Sequence, residues 1–102
     1  MQSHLVLKPT TNLSGTVSNT TTTLSSFGPL PSEATGGILT VESADIRFTW
    51  DGSAPAGGLG GGFPMVKNSV WEIVGRDLLT NLKMFRDAGV DAYVSIALYK
   101  AE

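Results

Sequence analysis

The run ILTVESADIRFTW, residues 38–50, decides the fold. Two short β-branched or aromatic segments, Ile38 to Glu42 and Ile46 to Trp50, flank Ser43, Ala44 and Asp45, and Asp45 suits a turn. In the second segment Ile46, Phe48 and Trp50 share one face of a strand, while Arg47, Thr49 and Asp51 share the other. A period of two is the signature of a half-buried strand, so the chain is expected to build sheets from this point outward. Asp51-Gly52 then reverses the backbone, because glycine accepts the positive φ that such turns require, and Pro55 bars immediate re-entry into a central strand.

Toward the C-terminus the same pattern recurs. Gly57 to Gly62 carries almost no side chains and is expected to form a mobile tip. Met65 to Lys67 reads as a short strand, and Val70 to Val74 as another, with Trp71 and Ile73 pointing one way. Residues 77–89 admit two readings. Leu78, Leu82 and Phe85 fit an amphipathic helix between Asp77 as N-cap and Gly89 as its end, whereas Leu82, Met84 and Arg86 alternate with Lys83 and Phe85. The alternation favours one helical turn around Leu78 to Asn81 and then a strand from Leu82 to Arg86. Ala92, Val94, Ile96 and Leu98 alternate with Tyr93, Ser95, Ala97 and Tyr99 in a final strand, which a hairpin through residues 88–91 would join to the preceding one.

Toward the N-terminus the composition shifts. The first 37 residues are rich in Thr and Ser and hold only His4, Lys8 and Glu33 as titratable side chains. A short strand from Ser3 to Lys8, ended by Pro9, and a second from Thr20 to Ser25 are expected, followed by a loop enforced by Gly28, Pro29, Pro31, Gly36 and Gly37. Short strands at this spacing predict an all-β, single-domain antiparallel β-sandwich or jelly-roll-like fold. Residues 38–102 form its core, and residues 1–37 form an extended N-terminal arm or edge strands.

Composition bounds the chemistry. Of 102 residues, 41% are hydrophobic and 16% charged, against roughly 25% charged in an average soluble domain. The 7 basic and 9 acidic residues give a net charge of −2 and form no basic stripe, so nucleic acid is not an expected partner. There is no cysteine, hence no thiol nucleophile and no Cys-type metal site. The opening MQSHLVLKPTTN lacks the basic start and apolar run of a secretory signal, and Ala92 to Tyr99 is far shorter than the roughly 20 residues of a membrane-spanning helix.

With His4 as the single histidine, neither a Ser-His-Asp order nor a three-ligand metal set can be assembled. Glu42, Asp45 and Asp51 miss the spacing of a calcium loop, and the glycine run satisfies neither phosphate-cradling pattern. No catalytic, cofactor-binding or metal-binding residue is therefore assigned. Trp50, Trp71, Phe85 and Tyr99 remain as core or interface anchors, and exposed aromatic faces also suit sugars. Arg47 and Arg86 are the basic residues inside expected strands, placed to pair with Asp51, Asp87 or a neighbouring subunit.

Two stretches taken together carry a resemblance. ILTVESADIRFTWDGSAP, then a glycine-rich loop, then WEIVGRDLLTNLKMFRDAGVDAYVSIALYK, resembles a group of small structural proteins of tailed bacteriophages. The shared pattern is a strand running into Asp51-Gly52-Ser53-Ala54-Pro55, a later Asn81-Leu82-Lys83-Met84-Phe85-Arg86, Gly89 with Asp91 and Ala92, and the alternating strand Val94 to Tyr99. It covers about residues 38–100. The resemblance implies a virion protein without enzymatic activity or cofactor, present in many copies. Its implied partners are itself, as a homo-oligomer, and other virion proteins such as the major capsid protein. A head decoration or cement protein is the first expectation; a tail, collar or fibre-associated adaptor or receptor-binding module is the alternative.

Overall fold

A computed structural model describes residues 7–58, 61–87 and 89–101. Among these residues there are eight strands: β1 (Leu7–Val17), β2 (Thr22–Thr23), β3 (Gly36–Val41), β4 (Ile46–Thr49), β5 (Phe63–Met65), β6 (Val70–Val74), β7 (Lys83–Arg86) and β8 (Ala92–Ala101). A 3₁₀ turn, Leu24–Ser26, follows β2, and helix α1, Arg76–Asn81, precedes β7. The strands form two four-stranded sheets, in the orders β1-β8-β3-β6 and β2-β7-β4-β5.

These orders contain a simple rule. β1 pairs with β8, β2 with β7, β3 with β6 and β4 with β5, all antiparallel, as in one long hairpin folded back on itself. Two further ladders, β3 with β8 and β4 with β7, close the folded ribbon into two sheets. Every connection except β4 to β5 therefore crosses from one sheet to the other, which is the arrangement of a jelly roll. The expected fold class is the observed one, and the strand order selects the jelly roll.

The core lies between the sheets. β8 contributes Ala92, Val94, Ile96 and Leu98, β3 contributes Leu39 and Val41, and β1 contributes Leu13 and Val17; opposite them stand Ile46 and Phe48 of β4, Met65 of β5 and Met84 of β7. Leu24, Leu79 and Leu82 are also buried, so the 3₁₀ turn, α1 and the residue after it close one part of the core. Arg76 fastens α1 to the loop before β3 by donating to the carbonyls of Pro31 and Ala34.

β1 and β2 each border a sheet, and Leu13, Val17, Leu24 and Ala34 belong to the common core, so no packing boundary falls at residue 37. The strand expected over Ser3 to Lys8 is corrected in one respect: residues 3–6 lie outside the described residues, and Pro9 does not end the strand. β1 runs to Val17, with a register shift between Pro9 and Thr11. A proline removes one ladder donor, which an edge strand tolerates at a bulge.

Gly36 and Gly37 are a second correction, because they begin β3 and are not loop. Tyr99, in register with Gly36 on the neighbouring strand, explains why glycine is needed: a Cβ at Gly36 would lie 2.5 Å from the Tyr99 Oη and 2.8 Å from the Ile73 carbonyl oxygen. The phenol occupies that space on the outer face and donates to Glu72 Oε2 at 3.0 Å. Burial, with Glu72 beside it, raises the Tyr99 pKa.

A third correction concerns the hairpin expected between β7 and β8. β7 pairs only with β2 and β4, β8 only with β1 and β3, and the chain between them crosses the end of the sandwich. Gly and Asp residues specify a reversal of direction, but the partner is chosen by long-range pairing. The fifth strand is Phe63–Met65, two residues earlier than expected, and α1 begins two residues before Leu78. No helix among the described residues is long and apolar enough to cross a membrane.

Candidate interface at the aromatic edge

β5 and β6 border the two sheets on the same side of the sandwich. They are three and five residues long, and among the described residues no further strand covers the gap between them. Aromatic rings fill it. Phe48 of β4 is buried and touches three others: Trp50 edge-on at 5.6 Å between centroids, Trp71 at 5.9 Å and Phe63 at 6.0 Å. Trp50 and Phe63 are themselves 5.8 Å apart. The ladder creates this meeting, since Phe63 is in register with Phe48 across β4 and β5.

The three outer rings remain accessible: Trp50 is 51% exposed, Phe63 58% and Trp71 37%. Offset or tilted aromatic pairs at these separations gain about 0.5–1.5 kcal/mol beyond area burial, so the ridge is held in shape before anything touches it. Trp71 is further fixed by its Nε1, which donates to Ser69 Oγ at 2.8 Å.

Beside the ridge, two aspartates shape the described residues of 51–58 and 61–62. Asp51 Oδ1 accepts from the Ser53 amide at 3.0 Å and the Ser53 hydroxyl at 2.6 Å, while Gly52 takes φ 88°. Those bonds to Ser53 hold the Asp51 pKa below the usual carboxylate value. Asp87 anchors the other end of the loop. Its Oδ1 accepts from Arg47 Nε at 2.7 Å and from the Gly58 amide at 3.1 Å, and Arg47 Nη1 reaches the Gly62 carbonyl at 3.1 Å. The Arg47 bond lowers the Asp87 pKa against the opposing effect of burial, and the Gly58 amide adds to the lowering. The loop expected as a mobile tip is thus tied to β4 and β7 at its described residues; Leu59 and Gly60 lie outside them. Between the Asp51 turn and the rings is a depression of about 260 Å³, lined by Thr49, Trp50, Asp51, Ser53 and Phe63 among others.

The six residues singled out by sequence do not form one surface. Trp50 and Trp71 meet in the ridge through Phe48. Phe85 is in register with Arg47, on the face of its sheet away from the Met84 row, and Tyr99 covers Gly36. Arg47 is buried and engaged with Asp87, whereas Arg86 pairs with Asp91 at 2.8 Å rather than with Asp51 or Asp87. Sequence reasoning missed Phe63, because a strand placed at Met65 to Lys67 leaves it in a loop. The available signal was its position directly after the glycines, in a Phe-Pro-Met run.

Glu42 and Asp45, weighed with Asp51 as a cation site, serve the scaffold. Glu42 accepts from Ser95 Oγ, and Asp45 accepts from the Lys67 amide. Among the described residues, no three His, Cys, Asp or Glu side chains group closely enough to hold a metal ion. His4 lies outside those residues. Searches for similarity find no matching family model, curated protein or solved structure.

Proposed function

We propose that this chain is a non-enzymatic structural protein of a bacteriophage virion, a decoration or cement protein seated on the head lattice through subunit contacts. The observation that carries this reading is the exposed ridge of Trp50, Phe63 and Trp71, rigidly packed on buried Phe48. Tryptophan is enriched among the few residues that carry most of the binding energy of a protein interface. Support also comes from the phage-like pattern of residues 38–100 and from the jelly roll, an architecture used by viral capsid proteins, which is an argument by analogy of fold. The partner is the major capsid protein, with further copies of this chain around it.

The test is retention on particles. Heads assembled with Trp50→Ala/Phe63→Ala protein should lose the chain on gradient purification, and should break at a lower temperature than heads carrying the wild type. Equal retention of variant and wild type, or unchanged head stability when the protein is left out, rejects the proposal.

A second reading has its own observation. Trp50 and Phe63 flank a depression that also presents Asp51 and Ser53, and a ring beside hydroxyl and carboxylate groups suits a sugar. In that case the protein is a tail, collar or fibre-associated receptor-binding module. Glycan binding that disappears in Trp50→Ala, with a few copies at one vertex of the particle, favours it over the lattice reading.

A further inference from the structure

The four sheet borders of this molecule are not alike. β2 has two residues, β5 has three with Pro64 among them, and β6 has five with Glu72 at its centre. Short length, proline and charge are the ordinary means by which a sheet edge is kept from pairing with another chain. β1 has eleven residues, and beyond the register shift at Pro9 its regular part, Thr11 to Val17, contains neither charge nor proline. It pairs with β8 on one side only, and among the described residues no other group bonds to its outer main-chain edge.

We infer that this edge pairs antiparallel with β1 of a second copy, joining two four-stranded sheets into one of eight. An uncharged strand meets its own copy without like-charge repulsion, which selects a second copy over a charged foreign strand. Two-fold pairing sets residue i against residue j at a constant sum, and the ladder is longest when its centre is that of the regular stretch. Centred on the midpoint of the regular stretch, Ser14 faces Ser14, Leu13 faces Gly15, Asn12 faces Thr16 and Thr11 faces Val17, while Pro9 falls beyond the new ladder.

The chain has no cysteine, so a single substitution reads the seam directly. Residues opposite one another in an antiparallel pair have Cα atoms about 4.5–5.5 Å apart, inside the roughly 4.4–6.8 Å that a disulfide spans. Ser14→Cys should oxidise to a covalent dimer, and Val70→Cys, on the β6 edge, should stay a thiol. In sedimentation equilibrium the wild type should be dimeric. Asn12→Lys/Thr16→Lys, which sets lysine against lysine twice, should be monomeric with an unchanged circular dichroism spectrum. Asn12→Lys/Thr16→Glu, which sets each lysine against a glutamate, should dimerise again. A monomeric wild type, a Ser14→Cys thiol that stays reduced, preferential cross-linking through Val70→Cys, or no difference between the two double variants overturns the inference. A different virion strand on this edge would give the first two results. Self-association of the purified chain and retention on heads are separate readouts, so either proposal can fail alone.

Discussion

Asp87 shows how much one side chain organises. It accepts from Arg47 and Gly58, and so ties a glycine-rich loop to the β4 and β7 strands. Because its pKa is lowered in the folded protein, its contribution to stability is present above the unfolded value of 3.8 and is lost as pH falls through the lower folded one. Asp87→Asn should cost about 1 kcal/mol at pH 7, a charge-assisted hydrogen bond discounted for solvent access. In urea titrations across pH, the gap between wild type and variant should close below the ordinary carboxylate range; a gap of constant size would show that ionisation of Asp87 is not the cause. The sequence allowed Arg47 to pair with Asp51, Asp87 or a neighbour, and could not choose, because 40 residues separate the pair that forms.

At the scale of elements, legibility followed burial. β8 was readable because four inward residues alternate without interruption, and β4 because Ile46 and Phe48 share a face with Trp50. β1 was not, since an edge strand needs only Leu13 and Val17 to meet the core and can fill the rest with Thr, Ser and Asn. The glycine at residue 15 belongs to the same difficulty: the Phe27 ring occupies the space a Cβ would need, a substitution of one element for another that no local window reveals. Helix α1 is short, and packing rather than propensity accounts for it. Leu79 is its buried residue, so Leu79→Ala should lose about 2–5 kcal/mol through the cavity left behind. Chemical denaturation would register that loss; a change under 1 kcal/mol would mean that the neighbouring loop closes the space.

At the scale of the whole molecule, the long-hairpin pairing rule dominates. The ladder between β1 and β8 joins residues at opposite ends of the sequence, and little structure can form until the two halves meet. Folding through such non-local contacts is slow, and refolding monitored by tryptophan fluorescence should proceed over milliseconds to seconds rather than microseconds. A microsecond main phase would contradict this and indicate that local pairs such as β4 with β5 suffice to direct the rest. Sequence patterning carried the fold class but not the crossings between sheets, because alternation assigns faces while partner choice depends on the entire ribbon. For the same reason the aromatic edge was only half visible: Trp50 and Trp71 announce themselves as large rings, and Phe63 joins them only through register.

Leu7 stands across from Ala101 in the first ladder. The two residues share one end of the ladder on the flank opposite the one that carries the aromatic rings. A reporter or an antigen linked at that end would leave the rings unobstructed.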